Sequence, residues 1–167
     1  MKKVFLPLIL FLIPIISTSQ TLNELRSIKT VNDFKKVMIE NNFQSYKYDG
    51  DDKDLDINKD VVVFKKVEGK YGGGLKYGIF WQYKGLVVNW SLKFYRATKL
   101  DFDENGEKIK EYGDYTDIVD SIKKECKYLE ILNMNEKDYV CYICDDKMKY
   151  GFSIDKNGTA SFVNISE

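Results

Sequence analysis

The chain predicts an α+β fold, an antiparallel sheet of about six to seven strands with two amphipathic helices on one face. Three observations predict it. Both prolines lie in the first 14 residues, while the chain holds 12 tyrosines and 10 phenylalanines, a composition suited to strands. Two segments carry apolar residues at helical spacing. Around them run short alternating segments broken by glycine and asparagine turns.

The first element is a leader. Lys2 and Lys3 precede the uncharged run Val4–Ile16, and Ser17-Thr18-Ser19 supplies the small residues of a cleavage site. That order is a secretory signal. The run is shorter than the ~20 residues a spanning helix needs, and Pro14 breaks its end. No cysteine follows the cleavage region, so no lipid can be attached at a new N-terminal Cys. The expectation is a signal peptide over 1–19 and a single α+β domain over 20–167, exported to the periplasm or the extracellular space. Stable membrane insertion after cleavage is not expected.

Charge and residue usage narrow the function. The 26 basic and 26 acidic residues balance, and loss of Lys2 and Lys3 leaves a net charge of −2. Nucleic acid and anionic lipid both call for a basic stripe, which this balance does not provide. Histidine is absent altogether. Ser-His-Asp and Cys-His catalysis, His-based zinc sites and imidazole switches go with it.

Thr21-Leu-Asn-Glu24 and Thr30-Val-Asn-Asp33 each set a capping hydroxyl three residues before an acid, the spacing of a helix start. The first opens a short turn with Leu22, Leu25 and Ile28. The second opens a helix over Val31–Asn42, with Val31, Phe34, Val37 and Met38 on one face. The acidic stretch Asp49–Asp60 reads as a loop. Val61–Phe64 is a β-branched strand, followed by the glycine-rich connection Gly69–Gly74. Tyr77–Tyr83 and Leu86–Tyr95 form a hairpin at Lys84-Gly85. In its second arm Val88, Trp90, Leu92 and Phe94 alternate with Asn89, Ser91, Lys93 and Tyr95, the pattern of a half-buried strand. Thr98–Phe102 and Glu107–Glu111 extend the sheet as another hairpin. A second helix runs over Thr116–Leu129, with Ile118, Ile122, Cys126 and Leu129 on its stripe. A turn at Asn133–Asp138 leads into strands at Tyr139–Cys144, Lys149–Asp155 and Thr159–Ile165, the last two joined at Asn157-Gly158.

Helix then strands, twice over, suggests a tandem α-β repeat over 30–112 and 113–167. Tyr77-Gly78…Gly85 and Tyr150-Gly151…Gly158 share their internal spacing, and Asp60–Phe64 sits over Asp138–Tyr142. This order of elements resembles tandem helix-and-sheet modules such as PepSY-type domains and the β-lactamase inhibitory protein. The resemblance is one of architecture and assigns no residue.

Candidate chemistry is sparse. Cys141 and Cys144 have CxxC spacing, but on a strand residues three apart lie about 10 Å apart and face opposite ways. They cannot pair with each other. Export permits a disulfide from Cys126 to either Cys141 or Cys144. Asp101-Phe-Asp-Glu-Asn-Gly106 matches the first half of a calcium loop, but Tyr112 stands where the closing acid is required, so a tight turn is the better reading. The alternating acids Asp52, Asp54 and Asp56 lack a central glycine. Gly69–Gly74 lacks the Ser or Thr of a P-loop. Asn89, Asn157 and Asn164 head formal glycosylation sequons. No catalytic residue, cofactor or metal is assigned.

The tyrosine and tryptophan surplus remains. Alternation puts either Ile79 and Trp81 or Phe80 inward, and Tyr77, Trp81, Tyr83 and Tyr95 form a candidate interaction surface. The sequence therefore points to an exported, non-catalytic binding module with a protein or peptide partner in the envelope or outside the cell. Two other readings stand beside it: a histidine-free hydrolase working through carboxylates at Asp49–Asp60 or Asp101–Glu104, and a structural or stress-related envelope protein.

Overall fold

A computed structural model describes residues 20–47, 61–68, 74–82, 88–95, 102, 105–109 and 112–165. The expected leader, the acidic stretch 49–60, the hairpin turn expected at Lys84-Gly85, Tyr83, and the acids Asp101, Asp103 and Glu104 lie outside these residues.

Two short helices come first among the described residues, α1 (Leu22–Arg26) and α2 (Val31–Glu40). Each begins with a reciprocal capping box. Thr21 and Thr30 accept from the backbone N–H three residues on, and Glu24 and Asp33 reach back to the cap backbone. These bonds satisfy amides that a helix start would leave unpaired. Strands β1 (Gln44–Ser45), β2 (Val61–Glu68), β3 (Gly74–Trp81) and β4 (Val88–Tyr95) follow. Then come α3 (Tyr115–Glu125), β5 (Lys127–Met134), β6 (Lys137–Ile143), β7 (Lys149–Ile154) and β8 (Thr159–Ile165).

All pairings are antiparallel, in the order β1-β2-β3-β4-β8-β7-β6-β5. The chain thus builds two meanders and joins them at the β4–β8 seam, where the register runs from Val88↔Ile165 to Tyr95↔Thr159. Eight strands replace the expected six to seven, and three helices replace two among the described residues. The additional strands are β1, which is two residues long, and β5. Most of the hairpin expected over Thr98–Phe102 and Glu107–Glu111 lies outside the described residues; the part described holds one bridge, Phe102↔Lys108.

The second helix ends earlier than its apolar spacing suggests. Cys126 caps α3 in extended conformation, and the chain goes directly into β5. Leu129 therefore belongs to a strand and not to the helical stripe. A two-residue turn, Asn135-Glu136, with φ of 50° and 60°, folds β5 onto β6. Positive φ at both central residues matches the twist of paired strands.

One large core unites all three helices with alternate strand residues. Leu22, Leu25, Phe34, Met38, Tyr115, Ile118 and Ile122 pack with Phe64, Trp90, Leu92, Phe94, Tyr150 and Phe162. Phe34 meets Phe64 and Phe80 at ring distances of 6.0 and 5.4 Å, and Tyr115 meets Phe94 at 5.6 Å. These strand residues share one side of the sheet, the core face. Phe80 thus turns inward, and Ile79 and Trp81 turn away. Gly78 lets α2 come close, because a Cβ there would stand 2.5 Å from Met38 Sδ and 3.1 Å from Phe34 Cζ.

Cys126 and Cys144 are joined by a disulfide, tying the end of α3 to the end of β6, while Cys141 is buried and free. Cys141 lies on the opposite side of the sheet from Cys144, as period two requires.

Candidate binding face

The side of the sheet turned away from the core, the far face, carries the unusual chemistry. Register places its residues in rows that cross the strands. One row runs Lys65, Tyr77, Lys93, Ser161, Ser153 across β2, β3, β4, β8 and β7. The next runs Val63, Ile79, Ser91, Val163, Gly151, Cys141, ending at Glu130 of β5. A central strand carrying Ser91 and Lys93 on one side is uncommon for a buried position.

Three zones follow from these rows. In the first, Tyr46, Tyr77 and Tyr95 form an edge-to-face ladder, with both ring separations 5.8 Å. Lys65 Nζ lies 4.8 Å from the Tyr46 ring centre, within reach of a cation–π contact. Tyr46, Tyr77 and Trp81 are half-buried and Tyr95 is exposed. The rings also restrict one another through these edge contacts.

The second zone is polar. Lys137 Nζ donates to Ser161 Oγ at 3.1 Å and to Asp155 Oδ2 at 3.3 Å. Asp155 Oδ1 accepts from the Asn157 and Thr159 amides, each at 2.9 Å, closing the Asn157-Gly158 turn, where Gly158 holds φ of +78°. The Thr159 amide, with Lys137 and the Asn157 amide, holds the Asp155 carboxyl below the usual range. Burial pushes the Tyr139 phenol up, against a hydrogen bond with Ser161. Burial also pushes the Lys93 ammonium down, Lys137 adds to that shift, and Asp155 opposes it. Ser91 Oγ and Ser153 Oγ are buried without a hydrogen-bond partner among the described residues.

The third zone is apolar. Cys141, Val163 and Ile165 are buried and pack with Val88, Leu132, Met134 and Tyr139. The far face is therefore not a simple wet surface. Burial raises the Cys141 thiol, the opposite of what a nucleophile or redox thiol requires. A shift of register between Val88 and Trp90 brings Val88 into this cluster, away from the phase of Trp90.

Of the residues singled out in sequence, Tyr77, Trp81 and Tyr95 share the far face, and Tyr83 lies outside the described residues. Sequence reasoning missed Tyr46, Lys93, Lys137, Tyr139 and Ser161 as site residues. The signal for Lys93 was present in the polar phase Asn89, Ser91, Lys93, Tyr95. For Lys137 and Ser161 no signal existed, because they meet only through the β6-β7-β8 pairing. Asn164 is 1% exposed, accepts from Asn89 and donates to the Lys149 carbonyl, which leaves no room for a glycan. Among the described residues no helix is long and apolar enough to cross a membrane. This chain matches no protein-family model, no curated protein and no solved structure.

Proposed function

We propose that the protein is an exported, non-catalytic binding module that holds a protein or peptide on the far face of its sheet. In this reading the helices back the core face and leave the far face for the partner. The Tyr46–Tyr77–Tyr95 ladder carries the reading: three linked rings cross the sheet on the side the main core does not use. Tyrosine suits such a role because a large amphipathic area is presented with few rotatable bonds. The leader over 1–19 supports an extracytoplasmic location.

A photo-crosslinking side chain placed at Tyr95 tests this in a host that exports the protein. A control position, Lys123 on α3, reports the opposite side. The expected result is a discrete adduct from position 95 that is absent from position 123 and disappears in a Tyr77→Ala, Trp81→Ala background. Equal adduct patterns from the two positions would remove the reading.

A further inference from the structure

We propose that the polar centre of the far face is an anion site that takes one carboxylate from a peptide partner, framed by Lys93, Lys137 and Ser161. The inference rests on the far face being the binding surface and names the chemistry recognised there.

Two lysines neighbour one serine. Lys93 and Ser161 are direct cross-strand partners on β4 and β8. Lys137 reaches the same Ser161 from β6, 3.1 Å from Nζ to Oγ. Their charges are not balanced. Lys137 is paired with Asp155 at 3.3 Å, whereas Lys93 has no ion-pair partner among the described residues. Lys93, Lys137 and Asp155 together carry one net positive charge.

An ammonium drawn partly out of water beside a like charge is unfavourable unless something compensates it. The depressed Lys93 titration agrees with that placement. One cross-strand place beyond Ser161 is Ser153, whose hydroxyl is buried and unpartnered among the described residues. Buried polar groups are rarely left so. One negative charge with two acceptor oxygens answers both deficits. A carboxylate matches the single surplus charge; a phosphate dianion exceeds it. Tyr77, next to Lys93 in the same row, leads from this centre to the tyrosine ladder, so a peptide lying on the rings would bring a carboxylate to Lys93.

The probe is sodium acetate, titrated into the protein purified from an exporting host and followed by amide chemical shifts. Sodium chloride at equal ionic strength and sodium phosphate serve as comparisons. Saturable shifts at Lys93, Ser161 and Ser153 with acetate, and none with chloride, are expected. Lys93→Met should weaken acetate at least about tenfold, since a charge-assisted bond is lost. Lys93→Arg should stay within about threefold of the parent, and Lys123→Met, on α3 at the opposite side, should not change it. Lys93→Met removes a half-buried charge that has no ion-pair partner among the described residues and should raise the melting temperature without ligand, so misfolding would not mimic the loss. Equal shifts with chloride, tighter binding of phosphate than acetate, or unchanged acetate binding in Lys93→Met would each overturn the site. Failure of acetate with the Tyr95 adduct intact removes the anion site alone; acetate binding without that adduct removes the binding-face reading.

Discussion

At the scale of single residues, Lys76 shows how differently two ion pairs can matter. Its side chain is 3% exposed, with Nζ 6.0 Å from the Phe94 ring centre, 2.7 Å from Glu68 Oε1 and 3.0 Å from Asp114 Oδ2. Lys66 adds a second cation, 3.1 Å from Glu68. Gly113, at φ of +56°, packs directly on the Lys76 side chain, where no Cβ would fit. Removal of Lys76 leaves Asp114 largely desolvated without this cation and Glu68 with Lys66 alone, and breaking a buried pair in this way costs about 3–5 kcal/mol. Lys76→Met should therefore lower stability by roughly 3 kcal/mol in urea unfolding. Replacing Glu68 and Asp114 by their amides in the same chain should recover much of that loss. A loss that the amides do not recover would mean that Lys76 acts through its aliphatic packing instead. Lys36 and Glu40, 3.9 Å apart on the surface of α2, belong to the other class, worth less than about 1 kcal/mol.

At the scale of elements, the two Tyr-Gly pairs lie on strands in opposite phase. Tyr77 points to the far face and Gly78 to α2, whereas Tyr150 is in the main core and Gly151 packs under Val163, Tyr139 and Cys141. The same dipeptide thus serves opposite faces, because a shift of one residue inverts a strand. Gly78→Ala should cost about 1–3 kcal/mol, since its Cβ meets Met38 and Phe34 on a helix already seated. Truncating the obstacle, Met38→Ala, should abolish most of the penalty in a double-mutant cycle; additive losses would show that the contact is not the cause. The elements that could be read from sequence were those whose signal is local. Both capping boxes, the polar phase of β4 and the Asn157-Gly158 turn needed only their neighbours. β5 was hidden because Ile118, Ile122, Cys126 and Leu129 keep helical spacing across the actual boundary at Glu125. Its side chains gave no burial alternation either: Tyr128 and Ile131 are 58% and 60% exposed on the edge of the sheet. Edge strands lack the second neighbour that would impose a clean inside and outside. The site was half readable for the same reason. Aromatics close in sequence could be grouped, but Lys137 and Ser161, 24 residues apart, meet only once three strands have paired.

At the scale of the molecule, the decisive feature is the seam between β4 and β8. It joins the first meander to the last strand of the second, and the main core runs through it without interruption: Trp90 packs on Phe162 at 5.8 Å and on Tyr150 at 6.2 Å. A continuous core makes the two meanders one cooperative unit, so a perturbation in one half should be felt in the other. The Cys126–Cys144 disulfide supplies that perturbation. It lies wholly in the second half and closes a loop of 18 residues, for which chain entropy gives about 3 kcal/mol of stabilisation. Cys126→Ser with Cys144→Ser, or reduction of the parent, should lower stability by roughly that amount. Trp81 reports β3 of the first meander and Trp90 the seam itself. Their fluorescence midpoint in denaturant should fall by the same increment as the protection of the β5 and β6 amides against hydrogen exchange. If the tryptophan midpoint held still while β5 and β6 opened, the halves would be independent units and the seam a mere contact. Equal shifts would mean that the far-face rows are held in register by the entire sheet, which is what a binding surface drawing on β1 through β8 requires.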